Sequence, residues 1–195
     1  PRARDIGLDQ KKDEIRELVQ LPVQICEYYA QRQAQGMLSM VQAQAQAAEM
    51  IRGLRYGLDN KDYFWIVTTE PVVVMHPYRT DLIGQNVSDF SDPNGKFFFV
   101  DIVEVVNEKG SGFVDYMWQW KDDPNRIVPK VSYVSGFEEW GWIVGTGVYI
   151  EDVEKTIQSE TRKLAFYSSA ILLVISALSF YLIHHGIHLE KSRRA

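Results

Sequence analysis

Apolar residues recur at helical spacing in the first part of the chain, from about residue 12 to residue 35. One stripe consists of Ile15, Leu18, Val19, Pro22, Ile25, Cys26 and Tyr29. This spacing predicts a single long helix with one buried face. Pro22 has no amide proton, so we expect a kink there. Gly36 is a candidate C-terminal cap, and Ser39 with Gln42 forms a capping box that begins a second helix.

A different pattern begins at residue 62, where β-branched and aromatic residues form short runs separated by turn residues. Tyr63 to Thr68 and Val72 to His76 have strand composition, and Glu70-Pro71 lies between them, which predicts a hairpin. Residues 77–95 are rich in Pro, Gly, Asn, Asp and Ser without a clear period. We therefore expect a loop there.

One more helix and three strands complete this region. Asp92-Pro93 has the form of an N-cap followed by proline at the first helical position, which predicts a helix to about Glu108. Strands are expected at about 112–120, 127–136 and 141–149. Their links are too short for parallel crossovers, so they should form an antiparallel meander. Together these elements predict a compact α+β unit.

The chain loses its charges near the C-terminus. No Asp, Glu, Lys or Arg occurs between Lys163 and Glu190. Leu164 to Ile183 supplies the roughly 20 apolar residues that a bilayer crossing requires. The pattern predicts a transmembrane helix over 161–189 and a short basic tail over 190–195. A buried core helix is the alternative, which is disfavoured because a domain of this size could not enclose it.

Composition narrows the classes of function. The formal net charge is -5 and the central region has no basic cluster, which disfavours nucleic acid as a partner. The single cysteine, Cys26, excludes an internal disulfide and any cysteine-based zinc site. The sequence contains no nucleophile elbow, phosphate loop or metal-spaced His/Cys/Asp set. We therefore expect no catalytic residues, no metal and no cofactor.

Lys130 is the first candidate for ligand binding, because it lies in the middle of an apolar predicted strand. Lysine is rarely buried without a partner, and an anionic ligand carboxylate would supply one. In the alternative interpretation, the side chain reaches solvent along an apolar surface.

His76 is the second candidate, since it ends a run of four apolar residues. An imidazole can donate a hydrogen bond to a carboxylate or accept one from a tyrosine. The alternative is a structural histidine that holds the loop after Pro77. A metal-binding role is disfavoured because no second histidine lies within motif distance.

Four aromatic strand residues complete the candidate set: Trp65, Tyr116, Trp118 and Tyr133. Their rings can wall a small pocket and present an N–H or O–H group to a ligand, although core packing is an equal alternative for each. Lys130 and Tyr133 differ by three positions, so regular pleating would place them on opposite faces. Both reach one ligand only if a bulge intervenes or the ligand lies at a strand end.

Seven segments in this order resemble the single-Cache extracytoplasmic sensor domains. They are Arg55-Tyr56, Asp62 to Ile66, Met75-His76-Pro77, Asp92 to Gly95, Gly112 to Trp118, Pro129 to Tyr133 and Trp140 to Ile150. The resemblance covers about residues 12–160. Pro22 departs from the pattern, as does Thr69-Glu70-Pro71, where an Asp/Asn-Gly turn is more usual.

The resemblance implies a long N-terminal helix packed on a PAS-like antiparallel sheet. It also implies a place in a bacterial or archaeal chemoreceptor or sensor histidine kinase, a homodimer, and a small carboxylate ligand such as acetate, propionate or pyruvate. We thus expect a flexible segment at 1–11, a sensor domain at 12–160 outside the inner membrane, and signalling through the C-terminal helix. A membrane-tethered enzyme and a cell-surface interaction module are the alternatives.

Overall fold

The computed structural model describes residues 2–57 and 59–193, with side chains for residues 4–57 and 59–181. The helices are α1 (Arg2–Leu18), α2 (Gln20–Ala34), α3 (Met40–Gly53), α4 (Phe98–Lys109) and α5 (Ile150–Arg193). The strands are β1 (Arg55–Tyr56), β2 (Asp62–Thr68), β3 (Val73–Met75), β4 (Ser111–Trp120), β5 (Asp123–Phe137) and β6 (Trp142–Tyr149). Two 3-10 turns lie at Thr80–Leu82 and Glu138–Trp140.

The first two helices form one long rod that is interrupted only at Val19. Pro22 explains the interruption, because it has no amide proton to donate to the carbonyl one turn earlier. The helix is therefore interrupted next to the residue at which the sequence predicted a kink. Gly36 adopts the left-handed conformation that ends α2, with φ of 73°, and the capping box of Ser39 and Gln42 is present. The rod begins at Arg2, so the predicted start near residue 12 is too late.

The strands form one antiparallel sheet in the order β1-β2-β6-β5-β4, with β3 paired to β2. This arrangement confirms the predicted hairpin and the predicted meander. Helices α1, α2 and α3 pack on one face of the sheet, and α4 packs on the other. The α+β fold with a long N-terminal helix on a PAS-like sheet is thus confirmed.

Both faces of the central strands are buried, which is why β2 is an almost continuous apolar run. Phe64 and Ile66 point towards the long helical rod, whereas Tyr63, Trp65 and Val67 point towards α4. Alternating pleat positions therefore supply two separate cores. The face towards α4 carries most of the tyrosine and tryptophan side chains that matter for the candidate site.

Helix α4 begins at Phe98, so the predicted N-cap at Asp92-Pro93 is wrong. The Asp92 carboxylate instead accepts hydrogen bonds from the backbone N–H groups of Asn94 and Lys96, and its other oxygen accepts one from Met117 on β4. Burial alone would raise the pKa of this carboxyl, but the three N–H donors hold it below its ordinary value. Asp92 therefore closes a tight loop and ties it to the sheet.

The chain divides into two compact units, and the boundary between them, Val153 to Glu154, falls within helix α5. Its segment Ile150–Tyr181 contains an apolar window with a mean hydropathy of 1.9 and no buried residues. Within the described residues it is the one helix that is long and apolar enough to cross a membrane. The side chains of this apolar window are therefore not part of a core within the described residues.

Asp92→Ala should lower the free energy of unfolding of the domain by about 1–3 kcal/mol, since it leaves three buried or half-buried backbone donors without an acceptor. Urea unfolding measures this change. Asp89→Ala is the matched control, because Asp89 is an exposed acid in the same loop. Equal effects of the two substitutions would contradict the structural role of Asp92.

Candidate functional site

Two glycines on β6 leave the middle of the α4-facing side of the sheet without side chains of its own. A Cβ atom at Gly145 would lie 2.2 Å from the ring of Trp65. One at Gly147 would lie 2.3 Å from Ser132 Oγ and 2.9 Å from Lys130 Cε. Side chains from β2 and β5 therefore lie across β6 at these positions. We call this region the glycine hollow.

Lys130 lies beside the glycine hollow and is only 1% exposed. On β5 it is paired with Tyr116 of β4 and with Tyr149 of β6. Its Nζ donates a hydrogen bond of 3.0 Å to the hydroxyl of Tyr63 and lies 4.4 Å from the centre of that ring. Burial rules out a side chain that reaches solvent. Among the described residues, no carboxylate forms an ion pair with Nζ.

Burial lowers the pKa of Lys130 from 10.5 to about 7. Within this net shift, the carboxylate of Asp62 opposes the lowering of the pKa, and the nearby positive charge of Lys121 contributes to it. Near neutral pH the amine is therefore close to its midpoint between the charged and neutral forms. An anion that arrives next to Nζ would favour the charged form.

Tyr63 is the centre of the hydrogen-bond network at this site. Its hydroxyl accepts from Lys130 Nζ and from Trp118 Nε1, at 3.0 and 3.1 Å. The hydroxyl of Tyr149 is 3.4 Å away, and it already donates to the carbonyl of Gln119. The proton of Tyr63 is thus held only by a long contact and can be offered to an anion.

Tyr63 and Tyr149 were missing from the candidate set derived from the sequence. Both rings contact the ammonium group of Lys130, at 4.4 and 5.1 Å from Nζ. A signal for each was present, because Tyr63 shares a strand face with Trp65, and Tyr149 lies opposite Lys130 in a regular meander.

His76 is buried and its ring contacts those of Tyr63 and Trp118. Its Nδ1 accepts hydrogen bonds from the backbone N–H groups of Tyr78 and Arg79, at 3.2 and 2.8 Å. Burial lowers the pKa of the imidazole well below its ordinary value, and Lys130 and Arg79 add to this effect. The ring is therefore neutral, carries its proton on Nε2 and holds the loop after Pro77.

Tyr116 and Trp118 lie on the same face as Lys130. The Tyr116 hydroxyl is 2.8 Å from Ser132 Oγ, and its ring stacks on Phe98 of α4 at 4.1 Å between centroids. Trp118 also contacts Phe98. Helix α4 thus covers this part of the sheet with aromatic side chains. Trp65 lies on the same face, over Gly145.

Tyr133 lies on the opposite face, in the core under the long helical rod. The pairing of β5 is regular from Lys130 to Tyr133, so no bulge brings the two side chains together. The Tyr133 hydroxyl donates to Ser111 Oγ. The structure therefore groups five of the six candidates, Trp65, His76, Tyr116, Trp118 and Lys130, and separates Tyr133 from them.

A second buried lysine, Lys121, lies at the turn between β4 and β5 and was not identified from the sequence. Its Nζ forms ion pairs with Asp59, Asp62 and Asp152, at 2.8, 3.4 and 3.3 Å. Asp152 belongs to the first turn of α5 and also accepts from Trp120 Nε1. The turn at Lys121 therefore connects the start of β2 with the start of α5.

Two other kinds of site, a metal centre and a reactive cysteine, are not supported by the described part of the chain. No group of three or more His, Cys, Asp or Glu side chains there could hold a metal ion. Cys26 is buried under the helices, and burial raises the pKa of its thiol to about 12. This thiol is therefore held in its unreactive protonated form.

Comparisons with known proteins agree with this description. The family model "Single Cache domain 2" matches residues 8–163. The methyl-accepting chemotaxis protein McpP of Pseudomonas putida is 36% identical over 177 residues, which are 91% of this chain and 32% of that protein. The sensor histidine kinase MctS of Rhizobium johnstonii is 33% identical over 111 residues, which are 57% of this chain and 23% of that protein. The chain spans a third or less of the length of these relatives.

Two solved structures share the fold at high identity. A periplasmic sensor domain of a chemotaxis protein has a TM-score of 0.69 and 41% identity, and the match covers 73% of this chain and 96% of that one. A Cache chemosensory domain, solved as the structural basis for carboxylic acid recognition, has a TM-score of 0.69 and 40% identity, with coverage of 73% and 95%. Domains of this kind are non-catalytic ligand-binding modules. This chain belongs to the single Cache family of sensor domains found in chemoreceptors and sensor histidine kinases.

Proposed function

We propose that this chain is the extracytoplasmic sensory part of a bacterial chemoreceptor or sensor histidine kinase, and that it binds a small carboxylate of the acetate, propionate or pyruvate class at Lys130. One observation carries the proposal: the Lys130 ammonium group is buried, and its hydrogen-bond partner is the neutral hydroxyl of Tyr63. Carboxylic acid recognition by a related domain of 40% identity supports the same ligand class.

The buried positive charge of Lys130 is unfavourable in the absence of a ligand. An isolated cation in an apolar interior is strongly destabilised, and the lowered pKa of Lys130 expresses this cost. A bound carboxylate would give the ammonium group a charged hydrogen-bond partner in a region from which water is excluded. The binding energy therefore comes largely from the relief of an existing electrostatic penalty.

Neutral donors around Lys130 suit an anion as well. Tyr63 can offer its hydroxyl proton, Tyr116 and Ser132 share a hydroxyl pair, and His76 carries a proton on Nε2. Such donors bind the anion without adding further buried positive charge. Because aromatic rings pack closely on this face, only a small acid would fit beside Lys130.

The C-terminal part of the chain suggests how ligand binding would be transmitted as a signal. We propose that the apolar part of α5 crosses the inner membrane, with the sensor domain in the periplasm, and that the receptor is a homodimer. The first turn of α5 is held by Lys121 and Trp120 through Asp152. Because Lys121 also pairs with Asp62, whose charge acts on Lys130, a bound anion would change the electrostatic environment of this attachment.

Lys130→Ala should abolish binding of acetate, propionate and pyruvate while the domain remains folded. Loss of one partner of a buried charge pair costs roughly 2–5 kcal/mol in binding free energy. Isothermal titration calorimetry measures the affinity, and Lys109→Ala, at an exposed lysine, is the matched control. Unchanged affinity in a folded Lys130 variant would contradict the role of this residue. Absence of binding by the unmodified domain would favour an interaction module.

Lys130→Met should stabilise the ligand-free domain at pH 6 by about 1–4 kcal/mol, because an apolar side chain replaces an uncompensated buried charge. The folded-state pKa is about 7 and the ordinary value is 10.5. The penalty is therefore complete below pH 7 and decreases as pH rises towards the ordinary pKa. Urea unfolding at pH 6 and pH 9 should show a smaller gain at pH 9. A loss of stability at pH 6 would show that the charge is compensated.

Affinity for the acid should be constant from pH 6 to about pH 7 and fall at higher pH, because the lysine must be protonated to bind an anion. The bound anion raises the pKa of Lys130, so the apparent dissociation constant should rise roughly tenfold per pH unit above the free pKa. His76 stays neutral over this range and should add no slope. Titrations at pH 6, 7 and 8 test this, and equal affinities throughout would rule out a lysine with a pKa of about 7 as the anion partner.

A further inference from the structure

Trp65 carries a buried hydrogen-bond donor without an acceptor. Its side chain is 3% exposed, and Nε1 has no hydrogen-bond partner within the described structure. Three other indoles in the chain do have acceptors: Trp118 donates to Tyr63, Trp120 to Asp152 and Trp140 to Gln33. A buried donor without a partner is unfavourable, so its presence in a sensor domain calls for an explanation.

The position of Trp65 relates this donor to Lys130. Trp65 lies directly opposite Gly145 on β6, and the ring atoms closest to a Cβ at Gly145 are Cζ2, Cε2 and Cη2, on the edge next to Nε1. Gly147, where the stem of Lys130 crosses, is the next residue on the same face. Positions i and i+2 of a strand are about 6.6 Å apart. The indole and the lysine thus approach the glycine hollow from opposite neighbouring strands.

The Trp65 N–H indicates which second group, besides the carboxylate, a ligand at this site would carry. An indole N–H can only donate, so it requires an acceptor oxygen. A short acid whose carboxylate binds Lys130 carries such an oxygen if it has an oxo group at C2. An unsubstituted alkanoate has only C–H groups at C2 and offers the buried N–H no acceptor at that position. Sites that bury a donor discriminate against analogues that lack the matching acceptor.

We propose that Trp65 is a specificity-determining residue that donates a hydrogen bond to the C2 oxygen of a 2-oxo acid. This inference rests on the proposed function, since it takes the carboxylate to be bound at Lys130. It adds a preference between ligands of the same size and charge. Gly145 and Gly147 allow the Trp65 ring and the Lys130 stem to lie over neighbouring positions of β6, so one small acid would contact both side chains.

Pyruvate and propionate are suitable probes, because they share three carbons and a carboxylate and differ at C2. Calorimetric affinities for both would be measured with the unmodified domain, with Trp65→Phe, and with 3-benzothienylalanine in place of Trp65, which keeps the ring size and removes the N–H. Trp142→Phe is the matched control, since Trp142 is a buried indole on the opposite face of β6. Thermal unfolding would establish that each variant is folded.

The unmodified domain should bind pyruvate more tightly than propionate. Loss of the Trp65 N–H should weaken pyruvate binding roughly tenfold and leave propionate binding nearly unchanged, as expected for one hydrogen bond. Trp142→Phe should preserve the preference. Equal weakening of both acids, or no change for either, would overturn the inference while leaving carboxylate binding in place. Failure of the unmodified domain to bind either acid would overturn the proposed function and this inference together.

Discussion

The site depends on one electrostatic constraint: an ammonium group lies inside the sheet-to-α4 core, and no carboxylate among the described residues forms an ion pair with it. Lys130 can occupy this position because two tyrosine rings face its Nζ and the hydroxyl of Tyr63 accepts its hydrogen bond. These neutral contacts are weaker than an ion pair, and the pKa of about 7 reflects the difference. The fold thus retains an unfavourable charge that a small anion can neutralise.

Backbone features make this arrangement sterically feasible. Gly145 and Gly147 leave room on β6 for the ring of Trp65 and the stem of Lys130, and larger residues there would collide with both. Lys121 lies at the turn between β4 and β5, and its three carboxylate partners come from the approach to β2, from β2 itself and from α5. The carboxylate of Asp62 forms an ion pair with Lys121 and also favours the charged form of Lys130. One carboxylate therefore interacts both with the candidate site and with the lysine that holds the start of α5.

Much of this organisation could be predicted from the sequence, because it depends on local patterns. Runs of β-branched and aromatic residues joined by short links predicted the meander, and a charged residue within an apolar strand singled out Lys130. The three-residue separation from Tyr133 already indicated opposite faces, and the regular pairing of β5 places Tyr133 under the helical rod.

The remaining features arise from contacts between residues that are distant along the chain. The local sequence around Asp92 resembles a helix N-cap. The hydrogen bond that its carboxylate accepts from the backbone N–H of Met117 joins it to a different element, β4, and leaves no local pattern. Lys121 forms ion pairs with acidic residues from three separate segments, and no local sequence pattern predicts such a cluster. Tyr63 was recognised as a strand residue, but its hydrogen bond to Lys130 depends on the order of the strands in the sheet.

The most direct test of this account is an NMR titration of the Lys130 side-chain amine with nitrogen-15-labelled lysine, assigned through Lys130→Met. Without ligand, we expect a titration midpoint near pH 7, well below the ordinary value of 10.5. Saturating pyruvate should move the midpoint upward by more than one pH unit, because the bound carboxylate favours the charged form. A ligand-free midpoint near the ordinary value, or a midpoint that pyruvate leaves unchanged, would contradict the account.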